Sequence, residues 1–213
     1  MDAQGIAYPA AYILVSDETK DSMTEVLLHV RDMVPQWKPK TFMGDKSEEE
    51  KHAVKTVFPN AVWLLCIFHV KQAWNRVIVA GAYGVGGNGS KIAVEAAQQS
   101  LYNMLEAIEK AENAEARNDA LCDLTDSRIY QENNRVRSWF DNTWLPCWDE
   151  WTKVGRANVF NRGINTNNPL EALNKYDIIP ELLYPILNTP LNKNGGYNFE
   201  RGFSHPLFFW PKH

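Results

Sequence analysis

The chain's first apolar run is Tyr8 to Val15 (YPAAYILV), short and partly β-branched, which predicts a strand. Polar Ser16-Asp17-Glu18 follow and predict a helix entrance, with Ser16 as N-cap and acids in the first turn. Met23, Val26, Leu27 and Val30 recur at helical spacing, so this helix is expected to reach about Met33, and Pro35 stops it. Lys40 to Gly44 (KTFMG) predicts a second short strand, with Asp45 directly after it. Ser47 to Val57 predicts a second helix, in which Ser47 and Glu50 have capping-box spacing. Pro59-Asn60 then turn the chain into Ala61 to Phe68 (AVWLLCIF), a continuous apolar run expected of a strand buried on both faces.

After His69 the pattern changes. Val70 to Val79 predicts a helix and Gly81 to Gly89 (GAYGVGGNG) a loop. Ser90 to about Ala116 predicts one long helix, with Ala93, Ala97, Leu101, Leu105 and Ile108 on its apolar face. Helical pattern continues from Asn118 to Trp151. There Phe140, Trp144, Trp148 and Trp151 form a stripe that suits core packing, and Pro146 is expected to distort the helix. No strand is expected between residues 80 and 156. The sequence after Tyr176 is rich in Pro, Asn and Gly and predicts loops. Strand–helix–strand–helix–strand up to residue 68 therefore points to an α/β fold with parallel strands, interrupted by a large α-helical insertion. The expected divisions are 1–79 for a partial α/β core, 80–156 for the insertion, 157–176 for a return to the core, and 177–213 for an irregular tail.

Composition adds limits. Of the 213 residues, 45% are hydrophobic and 23% charged, enough for a packed core. A formal net charge of −4 argues against a stand-alone nucleic-acid binder, whose domain is usually basic. It leaves room for a nuclease-like chain whose phosphate contacts come from a separate module. Three widely spaced cysteines make no disulfide framework and favour a reducing compartment. The first residues lack the basic start of a secretion signal, and no apolar run approaches the roughly 18 residues that would span a bilayer. No membrane partner is expected.

Several residues are candidates for chemistry. Asp45 stands at the C-terminal end of a parallel strand, where open α/β sheets place their sites, and a carboxylate there can hold a divalent metal. The plainer alternative is a loop acid that helps to start the next helix. Asp17 has a similar position, but first-turn charge on its own helix explains it better. Cys66-x-x-His69 could ligate a metal. Structural zinc needs about four protein groups, however, and Cys122, Cys147, His29 and His52 are scattered, so a buried Cys beside a hydrogen-bonded His is the default. Glu171 follows Asn165 to Pro169 near the start of a helix, where it complements the dipole or lines a polar cleft. Gly84-x-Gly86-x-x-Gly89 matches the letters of a dinucleotide fingerprint and offers a rival reading, a small nucleotide-binding enzyme. No second βαβ unit follows, and Glu106 and Glu109 fall inside the next helix rather than at the end of a strand. A buried strand before this loop would favour the rival; a helix continuing from His69 would oppose it.

Two separated groups of residues fall in the order of a known family. The first runs through Phe42-Met43-Gly44-Asp45-Lys46-Ser47, Ala53-Val54, Val57-Phe58-Pro59-Asn60-Ala61, Leu65-Cys66-Ile67-Phe68-His69-Val70 and Trp74-Asn75. The second is Trp151, Gly155-Arg156, Ile164-Asn165-Thr166-Asn167-Asn168, Glu171 and Asn174. Together they resemble the Mutator-like element (MULE) transposase domain over about residues 3 to 176. The resemblance implies an RNase H-like sheet in which Asp, Asp and Glu hold two Mg²⁺ ions for DNA strand cleavage and transfer. It makes Asp45 the second acid and Glu171 the third, with Cys66 and His69 as the family signature beside the site. Residues 3 to 15 match the region after the first acid, and Asp17 aligns with a helix entrance. The expectation is thus a sheet incomplete at its N-terminal edge, a missing first acid, and a truncated, catalytically inactive transposase-derived domain. DNA is the implied partner and the nucleus the implied location. A domesticated DNA- or chromatin-associated regulator without catalysis is the alternative.

Overall fold

The computed structural model describes residue 15 and residues 17–79, 84–159 and 165. Over these the chain is α/β and mostly helical, with a small parallel sheet of two strands. It divides into two units, Met1–Trp63 with Thr166–His213, and Leu64–Asn165.

In the first unit, α1 (Lys20–Met33) buries Met23 and Leu27. Its N-cap is Thr19, three residues after the Ser16 expected to cap it. The Asp17 carboxylate accepts from the Thr19 amide (3.1 Å), the Thr19 hydroxyl (2.7 Å) and the Ser22 hydroxyl (2.6 Å). Local bonding of this kind gives the backbone an alternative to helix, which delays the start. β1 (Thr41–Gly44) buries Phe42 and Gly44 on alternate positions. α2 (Glu48–Val57) is capped by Ser47, whose hydroxyl accepts from the Glu50 amide at 3.2 Å. Glu48, Glu49 and Glu50 complement the dipole in its first turn, and Ala53, Val54 and Val57 are buried. The helices α1 and α2 pack together. β2 (Val62–Leu65) pairs with β1, and the Lys40 carbonyl accepts from the Val62 amide at 2.9 Å. Trp37, Phe42 and Phe58 close this core, with ring centroids 5.3 to 6.0 Å apart.

The apolar run 61–68 is not one buried strand. Val62 is 39% exposed, β2 stops at Leu65, and Cys66 caps a helix that already includes Ile67 and Phe68. Continuous apolar residues cannot by themselves separate a buried strand from a buried helix. Here the run contains the end of one and the start of the other.

The second unit is helical: α3 (Ile67–Ile78), α4 (Lys91–Lys110), α5 (Ala114–Asp126), α6 (Arg128–Glu132) and α7 (Asn134–Trp139). A π turn (Phe140–Trp144) and a 3₁₀ turn (Leu145–Cys147) lead into α8 (Trp148–Trp151) and α9 (Lys153–Arg156). The long helix expected over 90–116 is two helices. α4 ends at Lys110, and the Asn113 side chain caps α5 by accepting from the Ala116 amide at 2.8 Å. Leu101, Leu105 and Ile108 are buried as expected, but Ala93 is exposed, so the apolar face is covered only in the C-terminal half of α4. Among the described residues no strand occurs between 84 and 156.

Trp74, Trp144 and Trp151 form the centre of this unit, packed edge to face with centroids 5.4 to 6.2 Å apart. Phe140 is buried with them, whereas Trp148 is part-exposed under the Arg117 guanidinium, which lies 3.7 Å from its ring centroid. The π and 3₁₀ turns change the number of residues per turn between 140 and 147. That shift rotates one member of the aromatic stripe out of the core. Gly84, Gly86 and Gly87 take the left-handed φ values 63°, 87° and 58° of a tight turn. The apolar residues ahead of this turn, as far as Ile78, belong to α3 and not to a strand.

Candidate functional site

Asp45 follows β1 directly and is half-buried. Its position depends on Gly44. A Cβ on residue 44 would lie 2.5 Å and 2.9 Å from Trp63 Cη2 and Cζ2, and 3.0 Å from Glu50 Oε2. The buried Trp63 ring thus lies against the backbone immediately ahead of Asp45, and the Glu50 carboxylate reaches the same place from α2. Sequence reading gave Glu50 a capping role only. Its nearness to the strand end is a tertiary fact, although its place one turn into a helix that starts just after β1 is a usable signal. A hard carboxylate oxygen such as that of Asp45 suits Mg²⁺. Among the described residues, no three or more His, Cys, Asp or Glu side chains converge to hold a metal ion. Glu171 lies outside the described residues.

Cys66 is fully buried as the N-cap of α3. His69 is half-buried in the first turn, edge-on to Phe68 with centroids 5.2 Å apart. The Ile67 amide donates to the Asn165 carbonyl at 2.9 Å. That bond brings the chain back to the head of α3 after the helical segment.

Arg156 is the residue that sequence reading missed as a chemical group. It is 5% exposed, and none of its three guanidinium nitrogens has a hydrogen-bond partner among the described residues. Burial pushes its pKa down to about 10, opposed by the field of Cys66 and Glu109. Lys71 on α3 binds Glu106 at 2.8 Å and Glu109 at 3.3 Å, and Lys110 binds Glu106 at 2.9 Å. Burial opposes the charge on Lys71, but its hydrogen bond to Glu106 and the field of Glu109 outweigh this and raise its pKa. The same hydrogen bond, with one from Lys110, lowers the pKa of Glu106.

The family model of the MULE transposase domain matches residues 1–73. The match takes in Asp45, Cys66 and His69 and ends before the second group of family-like residues, 151–174. No curated protein and no solved structure matches the chain. No helix among the described residues is long and apolar enough to cross a membrane.

Proposed function

We propose that this chain is a transposase-derived domain related to DNA strand cleavage and transfer, built on an RNase H-like sheet with a helical insertion over 80–156. The observation that carries the reading is the match of residues 1–73 to the MULE transposase domain, with Asp45 at the end of β1 inside it. Residues 157–176 return to the core in this reading, and 177–213 form its tail.

Asp45 and Glu171 are the proposed metal ligands, and Cys66 and His69 are the proposed family signature. Bound Mg²⁺ would supply activation of water or a 3′-hydroxyl and stabilisation of the leaving oxygen. Asp45 offers a half-buried hard oxygen at a strand end, which fits such an ion. The bond from Ile67 to Asn165 supports a return of the chain toward the end of β2. The partner proposed is DNA and the location the nucleus.

Two acids of the expected three leave the 213-residue chain by itself without activity. Supercoiled DNA incubated with Mg²⁺ or Mn²⁺ is expected to show no more nicking with wild type than with Asp45→Ala. Metal-dependent nicking that Asp45→Ala abolishes would overturn the inactive reading and mark a working site.

A further inference from the structure

The proposed transposase chemistry makes no use of the glycine-rich turn over 84–89, which ends in the pair Asn88-Gly89. Both residues are exposed, lie outside any helix or strand, and precede Ser90, the N-cap of α4. The Gly89 amide donates to the Gly86 carbonyl only at 3.4 Å, a long bond that holds its nitrogen weakly. Residue 89 has no side chain to shield that nitrogen from the Asn88 carboxamide. Helical asparagines differ. Asn75 and Asn103 lie within α3 and α4, where the following amide belongs to the helix ladder and comes from Arg76 or Met104.

We propose that Asn88 is a site of spontaneous deamidation, set in the turn that leads into α4. The Gly89 amide gives its proton to hydroxide, and its nitrogen attacks Cγ of Asn88. The new C–N bond closes a five-membered succinimide, and the bond from Cγ to Nδ2 breaks to release ammonia. Water then opens either side of the ring, giving aspartate or isoaspartate, and the chain gains one negative charge beyond its formal −4. The two products act on α4 in opposite directions. Aspartate places a carboxylate just ahead of a 20-residue helix that has no acid in its first turn, where negative charge is favourable. Isoaspartate instead adds a methylene to the main chain between two fixed points. On one side Val85 is buried, and Gly86 packs so closely on α4 that a Cβ there would lie 2.7 Å from Val94 Cα. On the other, the Ser90 hydroxyl caps α4 by accepting from the Ala93 amide at 3.3 Å. A longer chain between them displaces the Gly86 contact or the cap. The site needs neither metal nor DNA, so the outcome at Asp45 does not bear on it.

The test is incubation of the full chain in mildly acidic and mildly alkaline buffer, followed by peptide mapping with electron-transfer fragmentation. Asn88 is expected to gain about one dalton, faster in alkali, with isoaspartate among the products, while Asn75 and Asn103 stay unchanged. Mapping also separates Asn88 from the Asn194-Gly195 pair, which lies outside the described residues. The free peptide of residues 84–91 measures the same chemistry without the fold. Asn88 left intact in the chain after that peptide has converted would overturn the proposal, as would aspartate formed without isoaspartate. Thermal unfolding tests the effect on α4. The converted wild type is expected to melt below fresh protein, and Asn88→Asp at or above it. Asn88→Gln, whose longer side chain closes a ring less readily, is expected to keep both its mass and its Tm. An incubated Asn88→Gln chain that loses as much Tm as wild type would contradict the link from Asn88 to α4.

Discussion

At the scale of single residues, two glycines show how backbone space fixes the position of a functional group. Gly44 gives way to the Trp63 ring just ahead of Asp45, and Gly155 lies against the backbone of Asp149, where a Cβ would meet Cα at 2.2 Å. A ring can shift by a few tenths of an ångström, whereas a backbone inside a helix moves only with the helix. Gly44→Ala is expected to cost about 1–3 kcal/mol, in the usual range for overpacking, and Gly155→Ala more than that. Urea unfolding of the two variants checks the order, and an equal or smaller loss for Gly155→Ala contradicts it. The place of Asp45 was legible in the sequence because it is positional, an acid straight after a short apolar strand. Arg156 was not, because a buried guanidinium without a hydrogen-bond partner among the described residues is a property of what surrounds it. Trp148 was misjudged for a related reason. A helical stripe assumes 3.6 residues per turn, and the π and 3₁₀ turns break that count.

At the scale of elements, caps were easier to read than lengths. Ser47 caps α2 as its spacing to Glu50 predicts. The run from Ser90 to Ala116 gave no such warning of the break near Ala111, where Asn113 starts a new helix. An Asn within a helical pattern is a weak signal until its side chain is seen to bond. α3 and α4 are joined by the Lys71–Glu106 pair, and its titration sets a pH window. The lowered pKa of Glu106 means that its contribution is present above the ordinary value of 4.5 and is lost as pH falls through the lowered one. The raised pKa of Lys71 means that its contribution is present below the ordinary value of 10.5 and is lost as pH rises through the raised one. A double-mutant cycle with Lys71→Met and Glu106→Gln is expected to give a coupling of at most about 1 kcal/mol at neutral pH, as both side chains are roughly a quarter exposed. The coupling should vanish in strong acid. Its persistence there would show that the two residues interact by packing rather than charge.

At the scale of the whole molecule, the order of elements expected between residues 17 and 57 is the one found, the strand expected over Tyr8–Val15 lies outside the described residues, and the sheet of two parallel strands agrees with the α/β expectation. No strand was expected over 80–156, and among the described residues 84–156 none occurs. The subdivision of this region depends on side-chain caps and irregular turns that hydrophobic periodicity does not record. The functional reading rests on the match of residues 1–73 and on the placement of Asp45 within it. Its central claim is that Asp45 and Glu171 bind a divalent metal together, and Mn²⁺ binding followed by electron paramagnetic resonance tests this without relying on catalysis. The account predicts that wild type binds Mn²⁺ and that Asp45→Ala and Glu171→Ala each weaken binding by about tenfold or more, as loss of a ligand should. Mn²⁺ binding that neither substitution changes would contradict it.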